Sequence, residues 1–360
     1  MTIEHPLPLD PWIAASLMQK AIRRGEAELA ARGATAYYRM RGNMIWRRFI
    51  IIAFEDIGIA DPEIVAHVTR LCIDRDARAL LGSDPEIIDQ LARDMAVAAK
   101  DRSADYLLSA IQYHPEWEEH RAIVAPLSIK ERIRMAVDPA VPLPTRSVAT
   151  WFASGVNGGG PKLVGAGDLS AMLDAFVKAG LPARLAQAVS TGANRSKEPI
   201  TVFLPLLWIA ARADGSTNFV ADSIQGGEAS WRGLPAWVLD KHTAIGKRSI
   251  SHFARENDVV RSVLECNVAD FRARDVALMA AFYADAIPTD RRLDWEAGRE
   301  LELAGMEADM MKVHCPRAAV AEIVDAVRSN LDHLNAIRLR SLSATFRLGR
   351  ADFQTEEGRR

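Results

Sequence analysis

The sequence predicts an all-α fold, a helical bundle in two helical regions, and three observations predict it. Asp-Pro pairs open apolar segments three times in the first 85 residues, at Asp10-Pro11, Asp61-Pro62 and Asp84-Pro85. Apolar residues then recur at three- and four-residue spacing, the period of a helix with one buried face. Towards the C-terminus, "CPRAAVAEIVDAVRSNLDHLNAIRLRSL" is the longest amphipathic stretch in the chain.

Composition sets outer limits. The chain has 360 residues, 49% hydrophobic and 26% charged, which is ordinary globular material with enough length for two domains. No apolar run reaches the roughly 18 residues of a membrane span, and "MTIEHPLPLDPW" lacks a basic region followed by an apolar one. Cys72, Cys266 and Cys315 lie far apart with no CxxC spacing, so they read as reduced thiols of a cytoplasmic protein. The net charge of −2 argues against general coating of nucleic acid, yet Lys20 to Arg48 holds eight cations against two acids. A local surplus of that kind makes its own field.

The first helix opens at Asp10-Pro11, with the carboxylate placed to accept from free N–H groups and the proline preset for the next position. Ile13, Leu17 and Ala21 form its stripe, and Gly25 and Gly33 punctuate the chain beyond it. Trp46 to Phe54 is too apolar for a surface helix and reads as central in the bundle, although "FIII" alone also fits a buried strand. Gly58 is placed to end it in a left-handed turn, and Asp61-Pro62 starts the next helix. In "GSDPEIIDQLARDMAVAA", Ser83 and Glu86 fit a capping box.

Glu55 and Asp56 are the awkward residues of this region. They fall near a helix C-terminus, where the macrodipole disfavours negative charge, so a cationic partner is expected. The helix carrying Arg23 and Arg24 is the natural source, giving an ion pair that ties two helices together.

"SLMQKAIRRGEAELAARGATAYYRMRGNMIWRRFIIIAFEDIGIADPE" resembles the C-terminal region of the MgsA/RarA ATPases, bacterial relatives of Werner-helicase-interacting protein. The resemblance runs over residues 12 to 110 and rests on Ser16, Lys20, Arg23, Gly25, Tyr37, Arg39, Arg47, Arg48 and Ala53, then on the corner Glu55, Asp56, Ile57, Gly58, Ala60, Asp61 and Pro62. Lys100, Ser103 and Tyr106 are similar to a further turn of that family, without its asparagine. The resemblance implies a helical assembly module that forms a tetramer, with a dimer as second choice, in a DNA replication or repair setting. The family's ATPase module is missing, since no G-x-x-x-x-G-K-[ST] occurs, so ATP hydrolysis is not implied and a separate ATPase becomes a candidate partner.

"DPAVPLPTR", 138–146, reads as a proline-rich linker between a first region, 1–137, and a second, 147–350, ahead of a frayed tail at 351–360. The glycine-rich "ASGVNGGGPKLVGAG" reads as a mobile loop, because Lys162 is not followed by the Ser or Thr of a phosphate cradle. "DLSAMLDAFVKAGLPARLAQAVSTG" reads as two helices split at Gly180-Leu181-Pro182, and "PITVFLPLLWIAARADG" as a buried helix, with a strand as alternative. His114 and His120 flank acids, but their six-residue gap is not a helical i, i+4 metal pair.

"LDKHTAIGKRSISHFARE" interleaves Lys241, Lys247, Arg248 and Arg255 with His242, His252 and Phe253, a basic helical surface suited to phosphates. The candidate DNA-binding residues are therefore Lys20, Arg23, Arg24, Arg47 and Arg48 in the first region and Lys241, Lys247 and Arg248 in the second, with single-stranded or junction DNA as the partner. Glu55, Asp56, Gly58, Asp61 and Pro62 form a structural motif; no catalytic residue, metal ligand or cofactor is indicated. Two other functions stay open: a helical enzyme using His242 with Asp240, with or without a metal, and a protein adaptor docking through the apolar face near residue 320.

Overall fold

A computed structural model of the chain describes residues 7, 9–157, 165–215, 217–223 and 229–357. The fold is all-α, as the sequence predicts. The chain divides into two units, each assembled from separated segments. Unit I comprises Met1–Lys20, Ser223–Pro288 and Met310–Arg360, and unit II comprises Ala21–Asp222 and Thr289–Asp309. This division differs from the boundary expected at 138–146, which falls inside unit II. Prolines that read as a linker are helix starters here: α10 begins at Leu143-Pro144, and Thr145 and Arg146 are already buried.

Helix α1 (Pro11–Arg23) begins in unit I; in unit II its last residues, from Ala21, end before Gly25, whose φ of 71° turns the chain into α2 (Ala27–Arg41). Gly33 does not interrupt the chain; it lies buried inside α2. The central segment forms α3 (Met44–Ile52) and not a strand, burying Trp46 and the run Phe49–Ile52. Its end widens into a π-helical turn, Ala53–Ile57, closed by the Gly58 N–H on the Ala53 carbonyl. Gly58 has the positive φ expected, 51°, but with ψ −131° it sits in an extended mirror region and not in a left-handed helical turn. Asp61 then caps α4 (Pro62–Ile73), accepting from the Ile64 N–H at 3.2 Å.

Asp74 caps α5 (Arg75–Ala79). The Glu86 carboxylate accepts from the N–H and hydroxyl of Ser83 at the start of α6 (Asp84–Val97), the expected box. Helices α7 (Ser103–Tyr113), α8 (Glu118–Val124), α9 (Ile129–Val137) and α10 (Leu143–Ser154) come next. Residues 158–164 of the glycine-rich loop, Lys162 among them, lie outside the described residues. Helices α11 (Leu169–Lys178) and α12 (Ala183–Ser196) split where expected, and α13 (Leu204–Asp214) is a helix with Leu204, Leu206 and Leu207 buried. A short antiparallel pair, Asn218–Val220 with Arg292–Asp294, completes unit II with the first part of the helix after it.

In unit I, Asp10 accepts from the N–H groups of Trp12 and Ile13 at the start of α1. A two-residue hairpin pairing, Ser230–Trp231 with Leu234–Pro235, leads into a 3-10 turn at Ala236–Val238. Three helices succeed it: α14 (Ala244–Glu256), capped by Thr243, α15 (Asp258–Asn267), capped by Asn257, and α16 (Asp270–Ala281). The last runs into a second π-helical turn, Phe282–Ala286. After α17 (Glu296–Lys312), the long amphipathic stretch forms α18 (Val320–Arg328) and α19 (Leu331–Glu357), and Val320, Ile323, Val327, Leu331 and Leu334 are all buried. The tail expected to fray from residue 351 continues as helix to Glu357, with no proline to stop it. No helix among the described residues is long and apolar enough to cross a membrane.

Candidate functional site

The Glu55–Asp56 question resolves into a buried charge cluster in unit II. Asp56 is fully buried on the π-helical turn and accepts from Arg23 Nε at 2.5 Å and from Arg102. Glu55 accepts from Arg23 Nη2 at 2.9 Å and Arg102 Nη1 at 3.4 Å, and Arg102 also binds Asp105. Burial raises the pKa of Glu55, helped by the neighbouring negative charges of Asp56 and Asp105. Arg23 was expected as the partner. Arg102 was not, and nothing in "KDRSADY" marks it out locally. Beside it, buried Lys100 donates to the carbonyls of Ala96 and Ala98, and burial lowers its pKa to about 8. Asp101 accepts from Ser103 and from Trp295 Nε1 at 3.0 Å, fixing the start of α7.

Lys20, Arg23 and Arg24 are buried, which removes them as DNA contacts. The physical reason is that α1 is enclosed along nearly its whole length, so Lys20 and Arg23 serve internal carboxylates and carbonyls, while Arg24 is buried just past the helix end. Lys20 belongs to a second cluster, in unit I. Its Nζ lies 3.1 Å from Asp240 and donates to the Trp237 carbonyl at 2.6 Å. Burial, outweighing the attraction of Asp240 and Asp285, brings Lys20 down to about 8. Burial alone would raise the Asp240 carboxyl, but Lys20 and the donors of His242 override it and hold it well below the usual range. Asp285, on the second π-helical turn, is buried against Arg338, which also donates to Asn335 at 2.9 Å.

Asp240 also accepts from both the backbone N–H and Nδ1 of His242, each at 2.9 Å. The His242 side chain is 58% exposed and meets the Phe282 ring edge-on, while Lys241 Nζ sits 3.9 Å above that ring. His114 and His120 do not converge: the first bonds Glu307 at 3.1 Å, the second Thr145 at 2.9 Å. Arg47 is half committed, donating to the Ser196 carbonyl and pairing with Glu198 at 2.7 Å, and Arg48 is half-buried.

What remains is α14. Ile245, Ile250 and Phe253 face inward, leaving Lys247, Arg248, His252 and Arg255 exposed on the other side. Arg274 of α16 joins them, its Nε donating to Ser251 Oγ at 3.2 Å. Glu256 is the acid at the end of this row, and it is shared by His252, His333 and Arg340. Among the described residues, no carboxylate pairs with Lys247, Arg248, Arg255 or Arg274. The sequence singles out Lys247, Arg248 and Arg255; Arg274, on another helix, it does not.

Set against protein-family models, curated proteins and solved structures, the chain matches none.

Proposed function

We propose that this chain is a non-catalytic, self-associating cytoplasmic protein of DNA replication, repair or mobile-element biology that binds nucleic-acid phosphates through the exposed face of α14. The observation that carries the reading is the row Lys247, Arg248 and Arg255, joined by Arg274, with no carboxylate partner among the described residues. Guanidinium and ammonium groups without a carboxylate, three on α14 and one on α16, match the charge of a phosphate backbone, and binding there releases counterions. The likeness to the MgsA/RarA C-terminal region supports self-association, as a tetramer first and a dimer second, and a separate ATPase as a partner.

Four cations on four phosphates give a slope of log affinity against log salt of about −3.6 on duplex DNA. The pair Lys247→Glu with Arg248→Glu, both exposed, should leave the melting temperature unchanged and cut the slope to about −1.8. Fluorescence anisotropy on forked, single-stranded and duplex DNA measures both. A folded double variant that binds as tightly as wild type at low salt removes α14 as the interface.

The contact between Asp240 and His242 favours a second reading, an enzyme. A carboxylate on Nδ1 fixes the ring and leaves Nε2 as a base on a half-exposed side chain. Among the described residues, no hydroxyl or thiol bonds that Nε2 as a nucleophile would, so this reading ranks second.

A further inference from the structure

Unit II holds a cavity of about 240 Å³ whose wall contains four arginines, Arg47, Arg75, Arg78 and Arg195, and no carboxylate. They come from three places in the chain: the start of α3, the short α5, and the end of α12. Arg78 is buried and fixed, held by Asp84 and the Leu71 carbonyl with its guanidinium 4.3 Å over the Trp46 ring. Arg47 is anchored on one side by Ser196 and Glu198. Arg75 and Arg195 are exposed, and among the described residues neither has a carboxylate or hydrogen-bond partner.

A second, independent feature lies in the same wall. Trp46 is 7% exposed, and among the described residues its indole N–H finds no acceptor. Buried donors are nearly always satisfied, so this wall carries an unmet polar demand beside its cations. Cys72, also in the wall, stays protonated because burial raises its thiol, so it adds no negative charge and no nucleophile. The charged groups in the wall are thus all cations.

We propose that this pocket is a phosphomonoester-binding site. A terminal phosphate carries close to two negative charges and three acceptor oxygens, which suits planar guanidinium forks better than a single carboxylate does. The cavity is smaller than the roughly 300–1,000 Å³ of clefts that enclose whole drug-sized ligands, so it takes the charged head of its ligand and leaves the rest outside. The phosphate arrives either on a free small molecule or at the end of a nucleic-acid strand. The proposal stands independently of the α14 face.

Calorimetry on the full chain separates these sources. Inorganic phosphate and a nucleoside 5′-monophosphate probe a free phosphate; a 5′-phosphorylated oligonucleotide beside its 5′-hydroxyl twin probes a strand end. At least one phosphate-terminated probe should bind wild type. Arg75→Ala with Arg195→Ala, both exposed and so neutral to folding, should weaken it by at least about tenfold. Lys247→Glu with Arg248→Glu should leave that binding intact, which keeps this test distinct from that of α14. The proposal is overturned if the folded Arg75/Arg195 variant binds like wild type, or if neither inorganic phosphate nor the nucleoside monophosphate binds and the phosphorylated oligonucleotide binds no better than its 5′-hydroxyl twin.

Discussion

Asp56→Asn should be among the most damaging conservative substitutions in unit II. Asparagine keeps the volume and the Oδ1 on which both arginine bonds land, but it loses the charge and carries an amide donor in place of Oδ2. Asp56 accepts from Arg23 and Arg102, whose side chains are each only 3% exposed. Charge-assisted bonds contribute about 1.5–3 kcal/mol each, which sets an upper bound near 6 kcal/mol. Two features reduce the loss. Glu55 still reaches both arginines, and removing Asp56 relieves the repulsion that helps to raise the Glu55 pKa. We therefore expect about 3 kcal/mol, the lower end for breaking a buried pair. Glu55→Gln, at a side chain 19% exposed, should cost about 1 kcal/mol. Unit II has roughly 220 residues, a size at which 1 kcal/mol moves the melting temperature by about 2–4 °C. Calorimetry of the full chain should then show Asp56→Asn about 6–12 °C below wild type and Glu55→Gln about 2–4 °C below. If the two variants melt together, or Asp56→Asn melts with wild type, the cluster is not organised around Asp56.

Gly58→Ala should destabilise by about 2–4 kcal/mol, because its φ of 51° is strained for any L side chain and its Cβ would stand 2.6 Å from the Asp101 carbonyl oxygen; urea denaturation that leaves the midpoint unmoved would contradict this. Lys20 and Lys100 both titrate near 8 in the fold against 10.5 when free. Between those values the unfolded chain holds more protons, so their contribution to stability grows as pH rises through the window. Cys72, raised by burial, works the other way above its ordinary value of 9, so pH 8 to 9 is the clean interval. Over that interval, Lys20→Met should lose one lysine's share of the rise, and equal slopes for variant and wild type in urea titrations would refute the assignment.

How much of this was legible depends on the distance between partners. The helix starts at Asp10, Asp61 and Ser83 are set by donors and acceptors within three residues, so spacing alone reveals them. The partner of Glu55 and Asp56 was half legible: an acid at a helix C-terminus calls for a cation, and Arg23 answers, but Arg102 lies 46 residues on in a turn with no periodic pattern. The start of the basic run from Lys20 to Arg48 misled, because Lys20, Arg23 and Arg24 are buried and a count of charges carries no information about burial. The carboxylate that neutralises Lys20 is Asp240, far along the chain and brought close only by folding. The arginine pocket was illegible for the same reason, since its walls come from segments that share no motif.

Both units place an acid where helix electrostatics disfavour one, and they do so in the same way. In unit II, α3 ends in a π-helical turn carrying Asp56; in unit I, α16 ends in another carrying Asp285. A π-helical turn inserts a residue and rotates the chain after it, so an acid there can point inward while the preceding helix keeps its apolar face packed. Each acid then meets arginine, Asp56 with Arg23 and Arg102, Asp285 with Arg338. Replacing such a pair by apolar side chains is often neutral or stabilising, so total stability does not account for keeping it. Specificity does. A buried carboxylate tolerates only the packing that brings its guanidinium within reach, so each cluster selects one arrangement of helices over the near-equivalent ones that apolar stripes alone would allow. The same demand keeps the cations of α1 inside and leaves α14 and the pocket beside Trp46 to present theirs outward.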